Sequence, residues 1–348
     1  MDFDSRLTRC QSLVNAALEH GALRTCQEFQ AGAGPDGAPA LSNRRGAACC
    51  ALNTYSVTSE EGGASTAPNS VASAPADRLS LAVKYALSGG KRLRPYIVFS
   101  VAEMVGREAQ SFLDAACAVE FVHTSSLILD DLPCMDDSRT RRGRPSVHCE
   151  FDEATAILAA VSLLSRGFAS LSENASALCL SSHVTNRAIT CLAETVGASG
   201  MVAGQMAELL ASAADLKTIE VVHDRKTSSL FVASGQVPAI LAGAAEQDIH
   251  AVGCYAHHLG LAYQIADDIS DAPAPGPCGS CACENSDEAS AGRRERRSGL
   301  NVATLLGADE AAKRTHEHIQ AAIAFLEGYG DSACPLRQLA AYVLSRIE

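Results

Sequence analysis

Two acidic clusters, each closing a long apolar stretch of helical spacing, constrain this chain more than any other feature. The first reads Asp130-Asp131-Leu132-Pro133-Cys134-Met135-Asp136-Asp137, and the second Asp267-Asp268-Ile269-Ser270-Asp271. Carboxylates set among apolar residues are costly unless cations neutralise them. No His or Cys ligand set accompanies them, so the ions expected are hard and oxygen-seeking. Mg²⁺ fits, because it takes one or two carboxylates and completes its shell with water and substrate phosphate.

The rest of the chain points to helices. Of its 348 residues 47% are hydrophobic and only 5% aromatic, with no Trp. Ala and Leu dominate and the β-branched alternation of strands is scarce, so an all-α fold is expected. A net charge of −12 argues against a nucleic-acid footprint, which would need a basic face. Fourteen cysteines are not spaced as a disulfide framework. Cys117, Cys179, Cys191 and Cys254 fall in helix-patterned stretches, where a thiol acts as a small hydrophobe. Cys278, Cys281 and Cys283 lie in a Pro/Gly/Ser-rich loop without His, and read as bystanders there. With no signal-peptide pattern at Met1-Asp2-Phe3-Asp4 and no apolar run approaching the ~20 residues a spanning helix needs, a cytoplasmic chain without a membrane span is expected.

Helical spacing predicts segments at 3–24, 77–87, 92–105, 111–130, 151–172, 184–197, 199–213, 218–224, 226–244, 248–271, 308–327 and 335–347. Irregular, low-aromatic insertions interrupt them at 27–76 and 273–298, without a change of composition on either side. One domain over 1–348 is therefore expected.

Spacing also organises the chemistry. Asp267 and Asp271 are four apart and share a helix face, and Gln264 reaches the same mouth from four before Asp268. Asp136 lies six after Asp130, on the wrong side of a continuous helix. Pro133 breaks the ladder there, so a helix ending near Leu132 swings Asp136 or Asp137 back toward Asp130. His123 lines the Asp130 face two turns deeper. Cations stand close by: Arg139, Arg141, Arg142 and Arg144 after the first cluster, and Gly89-Gly90-Lys91-Arg92-Leu93-Arg94-Pro95 before it. Lys226-Thr227, one turn after His223, adds another phosphate-seeking group, and Gln205 and Glu208 add polar groups to an apolar helix. Arg forks suit diphosphate oxygens and Lys adds a compact charge. Each basic run alone reads as a solvated surface; with two Mg²⁺-type clusters they describe a diphosphate site.

In these stretches the chain resembles the trans-prenyl diphosphate synthases, which condense isopentenyl diphosphate with an allylic diphosphate. The matching stretches are 89–95, 120–143 with Asp130-Asp131-x-x-x-x-Asp136, 200–205, 223–227 and 264–271, in the family's order. The resemblance implies a helical bundle of isoprenoid-synthase type around a deep apolar cavity, a homodimer, and three Mg²⁺ ions. It places Lys91, Arg94, His123 and Arg142 on isopentenyl diphosphate, and Arg141 and Lys226 on the allylic diphosphate. Thr227 and Gln264 would face the developing cation. Asp130, Asp131 and Asp136 would carry two ions, and Asp267, in the cluster with Asp268 and Asp271, the third. The products implied are farnesyl or geranylgeranyl diphosphate, from dimethylallyl, geranyl or farnesyl primers. Against the large aromatic usual at that position in farnesyl-forming relatives, Ser125, five before Asp130, implies an open cavity floor and a C20 product, or C15 with poor stopping, unless Phe121 supplies a plug.

Two positions depart from the family pattern. Ala160-Val161-Ser162-Leu163 replaces a Gly-Asp-Ala-Leu stretch, and the late Lys is missing near Gly299-Leu300-Asn301-Val302. They keep two alternatives in view. One is a weakly catalytic partner subunit of another prenyl synthase, against which the intact clusters argue. The other is a terpene cyclase, which normally lacks the second Asp-Asp-x-x-Asp and the Gly-Gly-Lys-Arg stretch.

Overall fold

The structure is a computed structural model that describes residues 2–31, 75–211, 215–272 and 301–347. Fourteen α-helices run through these residues: α1 (Phe3–Ala31), α2 (Pro75–Leu87), α3 (Leu93–Met104), α4 (Leu113–Asp130), α5 (Val147–Glu150), α6 (Glu153–Ala177), α7 (Ser182–Val196), α8 (Met201–Leu210), α9 (Leu216–Val222), α10 (Ser229–Ala242), α11 (Glu246–Asp271), α12 (Val302–Leu306), α13 (Ala308–Ala324) and α14 (Cys334–Leu344). The all-α expectation holds. One short antiparallel hairpin, β1 (Thr140–Arg141) and β2 (Arg144–Pro145), is the only sheet among the described residues.

Local chemistry sets the helix ends. Asp152 caps α6 by accepting from the Thr155 N–H at 2.6 Å, and Asp215 caps α9 by accepting from Thr218 N–H at 2.8 Å. Each satisfies a donor that the first helical turn leaves free. The sequence expectation closed the first helix at 24 and opened an insertion at 27; α1 continues to Ala31, and α2 opens at Pro75. The remainder of that insertion, the whole of 273–298 and Cys278, Cys281 and Cys283 lie outside the described residues.

α10 and α3 are buried nearly all round, as their uniformly apolar sequences require. α4 packs along α6, and the pair is pinned at both ends. Asn174 accepts from the Ala115 N–H at 3.1 Å and donates to Ser111 O at 2.7 Å, while Ser125 Oγ donates to Ala160 O at 2.8 Å. The fully buried Tyr255 of α11 donates from its hydroxyl to Leu336 O of α14 at 2.7 Å. A second small core of Ile219, Ile265, Val302, Ala303 and Ala311 joins α9, α11, α12 and α13 beside the second acidic cluster. Its Ile and Val side chains contribute roughly 1.5–3 kcal/mol each on burial, and the two alanines less.

By length and hydropathy alone, Ala109–Asp130 and Glu153–Ala177 would suffice to cross a membrane. This corrects the expectation that no apolar run approaches that length; scattered polar residues within both helices hid them from it. The first is 67% buried inside the protein and the second 39%, so the first is a core helix and the second keeps an uncovered apolar side.

Candidate active site

Pro133 has the effect expected of it. α4 ends at Asp130, and the chain folds back so that the Asp136 N–H donates to Asp130 O at 2.9 Å. The hairpin then turns at Arg142 and Gly143, with φ of 54° and 73°. Two successive positive φ values make the tight turn that matches strand twist, and it presents Arg141 and Arg142 to the same space as Asp130. Across from them, His223–Ser228 forms a π-helical turn between α9 and α10 that carries Lys226 and Thr227. α8 approaches this turn so closely that a Cβ on Gly204 would stand 2.3 Å from Lys226 N.

These elements enclose a cavity of about 930 Å³. Lys91, Arg94, His123, Arg141, Arg142, Lys226, Thr227, Gln264, Asp130, Asp267 and Asp271 all line it. Asp131, Asp136 and Asp268 do not. Deeper walls are apolar, from Val122, Leu164, Val196 and Met201, with Ser125 among them. Phe121 is 1% exposed and packed into the core, outside the cavity lining. Val161 is 54% exposed on α6, away from the cavity lining.

Electrostatics bind the groups together. Lys226 pairs with Glu208 and lies 3.7 Å from Asp130 Oδ2. Burial opposes the Lys226 charge, but Asp130 and Glu208 outweigh it and hold its pKa above the ordinary value. Burial pushes the Asp130 carboxyl up to about 6; Lys226 counters this, and Asp136 and Glu208 reinforce it. Arg141 forks onto both oxygens of the buried Asp131, its Nε donating at 3.1 Å. Arg142 Nη1 donates to Gly89 O at 3.0 Å, and a Cβ on Gly90 (φ 104°) would meet the same guanidinium at 2.9 Å. Arg94 lies 3.3 Å from His123 Nε2 and stacks 4.5 Å from the Phe231 ring centre. Burial and then Arg94 and Arg142 drive the His123 pKa well down, so its ring is neutral and accepts from Arg94.

On the other rim, Thr227 Oγ1 donates to Gln264 Oε1 at 2.8 Å, and Gln264 Nε2 donates to Asp268 Oδ1 at 3.1 Å. Asp268 Oδ2 also accepts from the Val302 N–H at 2.8 Å, with His223 Nε2 at 3.5 Å. Both its oxygens are thus engaged in tying α11 to its neighbours, and burial raises its pKa to about 6. Asp267 accepts from Arg346 Nη2 at 2.6 Å.

Sequence spacing did not reveal Arg346 or Glu208's pairing with Lys226. Arg346 stacks 4.8 Å from the Tyr263 ring centre, while Lys91 Nζ stands 5.9 Å from the same ring. Gln205, noted only as a polar group on an apolar helix, lines the cavity with both amide atoms buried and without a protein partner. Its amide is the clearest unused polar group there.

Among the described residues, no three His, Cys, Asp or Glu side chains already converge as a metal cage. Mg²⁺ does not require one, because water and phosphate supply most of its shell. The donors fit such an ion: Asp130 is carried toward protonation by burial and by Asp136 and Glu208, an excess of negative charge that a cation relieves. Asp267 and Asp271 supply carboxylates on the opposite rim of the same cavity.

Comparison with known proteins agrees with this arrangement. Residues 76–275 match the family model for polyprenyl synthetase. The chain is 36% identical over 274 residues to geranylgeranyl pyrophosphate synthase 11, chloroplastic, of Arabidopsis thaliana, covering 76% of this chain and 74% of the relative. It resembles the crystal structure of an FPP/GFPP synthase from Zymomonas mobilis, with TM-score 0.67 and 34% identity over 77% of this chain and 89% of that one. A putative farnesyl-diphosphate synthase from Marinomonas sp. MED121 gives TM-score 0.68 and 28% identity over 99% of both chains. A bundle of this kind, with both acidic clusters and the basic stretches on one cavity, places the chain in the polyprenyl synthetase family, whose members are prenyltransferases.

Proposed function

We propose that this chain extends an allylic diphosphate with isopentenyl diphosphate, using Mg²⁺, to give farnesyl or geranylgeranyl diphosphate and free diphosphate. The observation that carries the proposal is the meeting of Asp130 and Asp267 with Lys91, Arg94, Arg141, Arg142 and Lys226 on one deep, mostly apolar cavity.

In this reading Lys91, Arg94, His123 and Arg142 hold the diphosphate of isopentenyl diphosphate. Arg141 and Lys226 hold that of the allylic substrate. Mg²⁺, three ions held by Asp130, Asp131, Asp136, Asp267, Asp268 and Asp271, would supply positive charge against the leaving diphosphate. Asp131 and Asp268 serve equally as positioning groups, since the one orients Arg141 and the other Gln264. As the allylic C–O bond breaks, Lys226 stabilises the departing oxygens, and the Thr227–Gln264 pair places neutral oxygens near the cation. The apolar walls keep water from the cation. The alkene adds, and the released diphosphate takes the proton.

A second copy of the chain is the partner we assign to α6, whose Ile157, Leu158 and Val161 are exposed on one face. Light scattering at twice the chain mass supports this, and a monomer at all concentrations opposes it.

The function is tested with purified protein, Mg²⁺, labelled isopentenyl diphosphate and dimethylallyl, geranyl or farnesyl diphosphate in turn. A C15 or C20 diphosphate supports the proposal. Folded protein that elongates no primer overturns it in favour of a non-catalytic partner subunit.

A further inference from the structure

Away from the acidic clusters, α11 and α13 bring two imidazoles together. His258 of α11 and His318 of α13 face one another with their Nδ1 atoms 3.0 Å apart and ring centres 5.3 Å apart. Both rings are half-buried, and His258 also stacks on Phe325 at 5.9 Å with planes 18° apart, which fixes its orientation. Burial and neighbouring rings lower both pKa values, that of His318 to about 4. At neutral pH two uncharged rings therefore share one proton between facing nitrogens, one donating and one accepting. His257 stands beside them with ring centres 5.3 Å from His258, but its Nδ1 is 3.3 Å from Asp224 Oδ1 and so is engaged elsewhere.

We propose that His258 and His318 form a bis-imidazole site for a late first-row divalent metal ion, of the Ni²⁺ or Cu²⁺ class. Imidazole nitrogen suits these ions, as oxygen suits Mg²⁺. The spacing is compatible with such an ion. With metal–nitrogen bonds of about 2.0–2.1 Å, nitrogens 3.0 Å apart subtend about 94° at the ion. Adjacent positions of a tetragonal or octahedral shell require about 90°. A tetrahedral zinc shell requires about 109°, or nitrogens about 3.3 Å apart. Water completes the shell. The shared proton moves to Nε2 of its own ring, so both rings stay neutral and no net proton is released near neutral pH.

The site is separate from the reaction chemistry. His258 precedes Asp267 by nine residues, about 13 Å along the helix. A bound ion would fasten α11, which carries Gln264 and the second acidic cluster, to α13. The inference stands on this geometry and does not depend on the prenyl-transfer reading.

The test is calorimetric titration of Ni²⁺ into the full, tag-free chain at saturating Mg²⁺. Cys254, Cys278, Cys281 and Cys283 are replaced by Ser, because thiols bind the same ions. The proposal expects one saturable site per chain, weakened at least tenfold by His318→Ala and by His258→Ala. His316→Ala, exposed on the same helix, should leave it unchanged. His318→Gln serves if truncation unfolds the chain by circular dichroism. No saturable binding, equal binding after His318→Gln, or Zn²⁺ binding more tightly than Ni²⁺ would overturn the assignment.

Discussion

Arg346 Nη2 donates to Asp267 Oδ1 at 2.6 Å, so the last turn of the described chain is tied to the second acidic cluster. Its other terminal nitrogen, Nη1, is buried without a protein partner. A cation arriving at Asp267 must share that carboxylate with a guanidinium. Arg346→Ala removes the competing charge, and the Mg²⁺ concentration for half-maximal activity should fall by roughly threefold, a modest Coulomb effect at a partly exposed pair. A Mg²⁺ titration of the condensation rate checks this; a higher Mg²⁺ requirement would contradict it.

Gly204 sets how closely α8 approaches the turn that carries Lys226. A methyl group there would stand 2.3 Å from Lys226 N and 2.7 Å from its Cα, so helix or turn must move. Gly204→Ala should cost about 1–3 kcal/mol of stability, the usual range for overpacking, and slow turnover by displacing Lys226. Gly328→Ala, with open space around it, is the control and should be near neutral. Thermal unfolding and initial rates decide between them.

Arg92 and Glu120 form a buried ion pair whose side chains are 1% and 3% exposed. Arg92 also donates to Asn15 Oδ1 at 2.9 Å and to Leu87 O, which braces a positive φ of 56° just before Arg94. Removing one partner strands a buried charge, so Glu120→Ala should cost about 3–5 kcal/mol. Arg92→Met with Glu120→Leu should recover much of that loss. Denaturant unfolding measures both, and a double variant no better than Glu120→Ala alone would contradict the account.

Acid acts on the histidines and the carboxylates with opposite sign. Burial lowers His223 and His318 to about 4, so the unfolded chain takes up protons first and stability is lost as pH falls from 6.5 toward 4. Burial raises Asp130 and Asp268 to about 6, so their stabilisation is full below 3.8 and is lost as pH rises through 6. The two effects oppose one another between about 4 and 6. Mg²⁺ competes with the proton on Asp130, so the rise in melting temperature with Mg²⁺ should be present at pH 7.5 and fade below about pH 6. An undiminished rise at pH 5 would contradict this.

Much of the fold and site is legible in the sequence, because both rest on local rules. The 3.6-residue period marks the long helices, and Pro133 shows where α4 must end and why Asp136 can return to Asp130. The hairpin was missed because two-residue strands carry no periodicity, although Gly143 is the position that permits its turn. The π-helical turn at His223–Ser228 was read as the junction of two helices, since a widened turn leaves the composition unchanged. Asp131 and Asp268 look like their neighbours in the sequence. Only the fold shows that Arg141 claims the first, while Gln264 and the Val302 N–H claim the second. Arg346 lies 79 residues from Asp267, beyond the reach of any spacing argument.

The central claim is that the two acidic clusters act on one bound diphosphate, and a double-mutant cycle in kcat tests it most directly. Condensation rates would be measured at saturating substrate for the wild type, Asp130→Asn, Asp267→Asn and the double variant. Each single change should reduce kcat at least a hundredfold, since each removes charge stabilisation that builds as the diphosphate leaves. The double variant should lose far less than the product of the two, as groups serving one event do. Near-wild-type rates in either single variant, or fully multiplicative losses, would contradict the account.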